Sequence, residues 1–151
     1  MSQPLVGIIL GSKSDLDAMQ ECVDQLEAFQ VPNELIIASA HRNPQKVHEW
    51  ASTAEDRGVK VIIAAAGKAA HLAGVVAAFT TLPVIGVPMK TSDLGGMDSL
   101  LSMVQMPKGV PVACVAINGA KNAAILATQI IAISDSNYRE TLKGFKESMA
   151  V

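Results

Sequence analysis

Five short, mostly apolar runs punctuate the chain, and nearly every one is followed by a stretch long enough for a helix. The runs are 5–10, 34–38, 59–66, 83–88 and 111–117. Runs that are apolar throughout, such as Leu5-Val6-Gly7-Ile8-Ile9-Leu10, suit strands covered on both faces rather than strands with one wet side. Strands alternating with helices imply a parallel sheet joined by right-handed crossovers. The expected class is therefore α/β: three layers, with helices on both faces of a parallel sheet.

The helical segments carry their own signals. Leu16, Met19, Val23, Leu26 and Phe29 fall near helical spacing after the first run. Asn43-Pro44 is a cap followed by a first-turn proline, and the spacing predicts a helix from there to about Arg57, stopped by Gly58. Gly67 is expected to open a helix reaching about Phe79. Helices are also expected over 97–105, 120–133 and, amphipathic, 135–149. The segment from Ala123 to Ile133 is apolar nearly all round, so it must be buried on more than one side, and a partner subunit is the natural cover. At 151 residues the chain is the size of one domain, 1–151.

Composition removes several functions. Half of the residues are hydrophobic and 17% are charged, the reverse of a disordered chain. A net charge of -2 and 3% aromatics offer neither a basic field nor stacking platforms for nucleic acid. Cys22 and Cys114 form no CxxC pair, and the first apolar run is too short for a signal core or a membrane span. A cytoplasmic setting with reduced thiols is expected.

Ligands of open parallel sheets bind beyond the carboxyl ends of the strands. Three polar segments occupy such positions: Gly11-Ser12-Lys13-Ser14-Asp15, Ser39-Ala40-His41-Arg42 and Gly67-Lys68-Ala69-Ala70-His71-Leu72, and a loop after the fourth or fifth strand is a further candidate. The first has small residues and a helix start behind it, where free N–H groups suit a phosphate or simply make a capped turn. His41 brings an imidazole able to exchange protons at neutral pH, and Arg42 a fork for phosphate or carboxylate. Each has a plain alternative, a loop histidine and an arginine paired with a surface acid. His71 alone reads equally well as a capping residue, but with His41 it can complete one pocket. Lys68 is a ligand contact or a solvated side chain, and His48, mid-helix, is structural.

No Cys/His cluster suggests zinc, no GxSxG marks a hydrolase elbow, and no P-loop or GxGxxG is present. A flavodoxin-type binding module remains a rival by topology, although Trp50 and Tyr138 lie away from the strand ends.

Read in order, Gly11-Ser12-x-Ser14-Asp15, Ser39-Ala40-His41-Arg42, Ala69-Ala70-His71-Leu72, the run from Ser99 through Gln105-Met106-Pro107 to Pro111-Val112, and Asn122-Ala123-Ala124 cover essentially the whole chain. In this pattern the sequence resembles the 5-(carboxyamino)imidazole ribonucleotide mutases of purine biosynthesis. The resemblance implies a flavodoxin-like, Rossmann-like three-layer fold and a homo-octamer with sites shared between subunits. It implies transfer of a carboxylate from the exocyclic nitrogen to ring carbon four, with no metal, ATP or organic cofactor. It assigns His41 to catalysis, and Ser12, Asp15, Ser39, Arg42, Gly67, Lys68, Ala69, Ala70, His71 and Leu72 to the substrate. A sister branch carboxylates aminoimidazole ribonucleotide directly with CO₂, with Lys in place of Arg42 and no counterpart of His71. Two positions depart from the family pattern: Lys68 stands where a glycine is usual, and Ala73 where a proline is. The terminal helix is expected at subunit interfaces.

Overall fold

The computed structural model describes residues 2–150. Five parallel strands, β1 (Val6–Leu10), β2 (Asn33–Ile37), β3 (Val61–Ala66), β4 (Val84–Pro88) and β5 (Ala113–Cys114), lie in the order β2-β1-β3-β4-β5. Six helices connect or follow them: α1 (Leu16–Ala28), α2 (Pro44–Ser52), α3 (Leu72–Phe79), α4 (Met97–Val104), α5 (Ala120–Ala132) and α6 (Ser136–Met149). This is the flavodoxin-like doubly wound order, and it places a switch point between β1 and β3.

Strand alternation divides the core in two. Val6, Ile8 and Leu10 of β1, with Val61, Ile63 and Ala65 of β3, face α1, α5 and α6. Ile9, Ile62, Ala64 and Ala66 face α2, α3 and α4. Gly7 belongs to that second face: a Cβ there would stand 2.9 Å from two carbons of the Trp50 ring. The missing side chain is thus the notch into which α2 seats its indole. Among the described residues, no helix is long and apolar enough to cross a membrane.

The elements differ from expectation in four places. First, α2 ends at Ser52 instead of near Arg57. The Ser52 hydroxyl donates to the His48 carbonyl and the Thr53 hydroxyl to that of Glu49, both at 2.7 Å, while Arg57 donates to the Trp50 carbonyl at 3.1 Å. Side chains satisfy the helix end, so another turn is not needed. A short 3₁₀ turn follows, closed by Gly58 in the left-handed region at φ 96°. Second, α3 starts at Leu72, and 67–71 form a loop. Third, β5 is two residues long. It is an edge strand entered through Pro111, which has no N–H to give, and Asn118 at φ 57° turns the chain into α5.

Fourth, α5 finds its cover within the chain. Its buried residues Ala120, Ala123, Ala124 and Ala127 are small enough for close approach to the sheet and α1. From the other side α6 contributes Tyr138, Leu142 and Phe145, with Phe145 edge-on to Phe29 at 5.2 Å. Only at its end does α5 leave a large apolar side chain out, Ile133 at 77% exposure. Cys22 is buried and unpaired, and burial pushes its thiol up to about 12, so it stays an inert thiol.

The notch at Gly7 gives a direct test. Gly7→Ala must displace the indole or the strand, and overpacking of this kind costs about 1–3 kcal/mol. Urea unfolding is expected to show that loss as a lower midpoint with an unchanged slope.

Candidate active site

Because every strand is parallel, the polar segments that follow β1, β2 and β3 emerge at one end of the sheet. They enclose a cavity of about 400 Å³. Gly11, Ser12, Ser14 and Asp15 line it from the first loop, Ser39 to Arg42 from the second, and Gly67, Lys68, Ala69, His71 and Leu72 from the third. Ala70 is the exception among the expected residues: it is 1% exposed and packs in the α2/α3 core, where it anchors the loop rather than lining the cavity.

The first loop is a tight hydroxyl cluster. Ser12 Oγ accepts from the Ser14 N–H at 3.3 Å and from the Ser14 hydroxyl at 2.9 Å, and a 3₁₀ turn at Lys13–Asp15 leads into α1. Asp15 is half-buried. Desolvation raises its carboxyl above the ordinary carboxylate range, and a hydrogen bond from the Ser12 backbone offsets part of that rise.

In the second loop, Ser39 Oγ accepts from the Arg42 N–H at 3.1 Å and the Ser39 carbonyl from the Asn43 N–H at 2.8 Å. Asn43 then caps α2 by accepting from Lys46 N–H at 3.3 Å. This fixed turn presents His41 and Arg42 outward. Among the described residues, no carboxylate pairs with the Arg42 guanidinium, so its fork is available to an anion.

The third loop brings His71 to His41. Lys68 takes a left-handed backbone at φ 54°, and successive tight bonds, Ala70 N–H to the Lys68 carbonyl and His71 N–H to that of Ala69, fold 68–71 back on itself. His71 sits at the cap position of α3 instead of inside its first turn. Its Nδ1 lies 2.7 Å from His41 Nε2, with the rings edge-to-face at 4.8 Å between centroids. Strands β2 and β3 are not neighbours; the two imidazoles meet across the end of β1, which runs between them. In a neutral pair one ring donates to the other, so the donor's second nitrogen is a bare base and the acceptor's second nitrogen carries hydrogen. One bare ring nitrogen and one ring N–H are then left over for other partners.

The third histidine lies elsewhere: His48 stacks edge-on against Phe79 at 4.5 Å, the structural part expected of it. Lys68 Nζ pairs with Asp93 at 2.7 Å, and that hydrogen bond and charge hold its pKa above the ordinary lysine value. Thr91 joins the lining from the β4–α4 loop, a loop that sequence offers as a candidate without singling out this residue. Its methyl carbon would be 2.9 Å from a Cβ on Gly67, and its hydroxyl is buried without a partner. The signal was its position just past a fourth strand end.

The fold and cavity define a doubly wound α/β protein with an imidazole pair and an anion-ready loop at its switch point. Residues 5–151 match the family described as AIR carboxylase, and the chain belongs to that family. It is 56% identical over 149 residues to the N5-carboxyaminoimidazole ribonucleotide mutase of Pyrococcus abyssi, covering 99% of this chain and 86% of that one. It is 55% identical over 143 residues to the phosphoribosylaminoimidazole carboxylase of Candida glabrata, covering 95% of this chain but 25% of that protein. Among solved structures, Treponema denticola PurE superposes with a TM-score of 0.87 at 31% identity, covering 96% of this chain and 90% of that one.

Asp15 should trade stability for its place in the site. A carboxyl raised in the folded state adds stability only at low pH, and that contribution is lost as pH climbs from the unfolded value of 3.8 through the raised folded value. Asp15→Asn is therefore expected to melt at a higher temperature than the parent at pH 7. The gap should close below about pH 4, in thermal scans across pH.

Proposed function

We propose that this chain converts 5-(carboxyamino)imidazole ribonucleotide into 4-carboxy-5-aminoimidazole ribonucleotide. The observation that carries the reading is the His41–His71 contact at 2.7 Å, beside an unpaired Arg42 and the Ser12 hydroxyl cluster. Ser12 and Arg42 hold the ribose phosphate, Asp15 the ribose hydroxyls, and Ser39 fixes the turn that carries His41.

The reaction is a relocation of CO₂. The carbamate C–N bond breaks, its electron pair stays on nitrogen, and His41, entering as the imidazolium with its Nε2–H bonded to His71, supplies the proton from Nδ1. Ring carbon four of the electron-rich aminoimidazole then attacks CO₂. The tetrahedral carbon must shed its hydrogen to restore the aromatic ring, and His41, now a base, removes it. One imidazole serving both steps ends as it began, and such acid–base assistance is worth about 10²–10⁴-fold. With His41 as the donor of the pair, His71 keeps an N–H for the migrating carboxylate. Gly67, Ala69 and Leu72 wall the space in which CO₂ waits. Confinement matters because well-oriented neighbours react as though at about 10⁵–10⁸ M, an upper limit for a loosely held gas molecule. No hydride, electron or phosphoryl group changes hands in this scheme.

The same proposal includes a cytoplasmic homo-octamer with the C-terminal helix at a subunit boundary. Leu94 and the α4 side chains Met97, Leu101 and Val104, all 47–65% exposed, favour an assembled state.

A direct CO₂-using carboxylase is the second reading; a carboxylase name is carried by the Candida glabrata relative, of which this chain covers 25%. Ultraviolet absorbance separates them: the mutase interconverts its two carboxylated isomers without added bicarbonate, and the carboxylase needs it. His41→Asn should lower turnover by about 10²-fold or more while nucleotide still raises the melting temperature. Near-normal turnover of that variant would remove His41 from the mechanism.

A further inference from the structure

A charged pair at the cavity's mouth is not used by the proton chemistry. Lys68 Nζ stands 2.7 Å from Asp93 Oδ2, and the Asp98 carboxylate adds to the negative field at the same ammonium. The partners sit on different loops, Lys68 after β3 and Asp93 after β4. Lys68 reaches across from a left-handed backbone that residues with a side chain rarely adopt.

The β4–α4 loop is otherwise fastened at its base. Lys90 N–H donates to Asn118 Oδ1 at 2.9 Å and the Ser99 hydroxyl to the Met89 carbonyl at 2.7 Å. At the same base Met89 N–H donates to the Ala66 carbonyl at 3.0 Å; farther out the loop bonds to itself, Gly95 N–H to the Thr91 carbonyl and Met97 N–H to that of Leu94. Among the described residues, Lys68–Asp93 is the ion pair that joins its crest to the β3–α3 loop. Two residues before Asp93, Thr91 lies against Gly67 in the cavity wall.

We propose that Lys68 and Asp93 form a clasp that keeps Thr91 and its loop closed over the cavity, so that CO₂ released there is recaptured. The proposal rests on the mutase reading above. Both are positioning residues. Their side chains are 65% and 61% exposed, so the pair is weak and screened by salt. A weak clasp suits a mouth that must open for nucleotide entry and exit in each turnover. Once the carbamate C–N bond has broken, CO₂ either forms the C–C bond at ring carbon four or leaves, and aminoimidazole ribonucleotide is then released. The clasp sets that partition.

The test is a single turnover of the N-carboxylated nucleotide by the full chain, with carboxylated product and decarboxylated nucleotide separated chromatographically. Asp93 does not line the cavity, so Asp93→Asn opens the clasp without altering the lining. Its ratio of leaked to isomerised nucleotide is expected to rise about two- to fivefold, the weight of an exposed ion pair. In the parent the ratio should climb between about 0.1 M and about 1 M salt, where screening tightens from ~10 to ~3 Å, and in Asp93→Asn it should stay flat. The exchanged pair Lys68→Asp/Asp93→Lys should recover part of the retention. Lys68→Gly should leak as Asp93→Asn does while melting no lower than the parent, because glycine suits the left-handed backbone. Equal partition in parent and Asp93→Asn at both salt levels, with isomerisation intact, overturns the clasp. A parent that does not isomerise the nucleotide overturns the mutase reading and the clasp with it.

Discussion

Everything at the cavity depends on β1 being locked on all sides. It is hydrogen-bonded to β2 along one edge and β3 along the other, and Val6, Ile8, Ile9 and Leu10 are fully buried between the two helical layers. A strand so enclosed cannot slip by one residue without turning its core side chains to the wrong layer. Its carboxyl end is therefore a fixed point, and the loops of β2 and β3 flank it at a set separation. Two imidazoles separated by 30 residues of chain can then meet at hydrogen-bond distance with, among the described residues, no backbone hydrogen bond between the loops that carry them.

The local chemistry at this end is bought with modest stability. Asp15 holds a carboxylate in a half-desolvated place, and Lys68 and Asn118 accept left-handed backbones. Such costs collect where a ligand must be met, and a core buried on both faces of the sheet offsets them. The Arg57–Glu34 pair at 2.7 Å, set against Trp50 and the end of α2, works in the opposite direction by tying an otherwise frayed helix to β2.

Much of this was legible in the sequence because the relevant signals are local. Apolar runs marked four strands to within two residues at either end, and the rule that parallel sheets bind ligands at their carboxyl ends pointed to the Ser12, His41 and His71 loops. What escaped depends on partners distant in sequence. Nothing near Thr91 says that its methyl will meet Gly67. Nothing near Ala70 says that it turns inward while Ala69 lines the cavity. The early end of α2 comes from hydroxyls bonding back to carbonyls, which a periodic pattern does not register. The cover over α5 was assigned to a second subunit because its apolar circumference was readable and the docking of α6 was not.

The indole lodged against Gly7 has an optical consequence. Trp50 is the chain's single tryptophan, held in the α2 layer with its ring edge at β1 and a guanidinium carbon 5.4 Å from its centre. Its emission is therefore an intrinsic, label-free gauge of whether α2 is docked. Since α2 begins just past the turn bearing His41 and Arg42, that one fluorophore reports the mooring of that turn from the amino-terminal half of β1, away from the cavity lining.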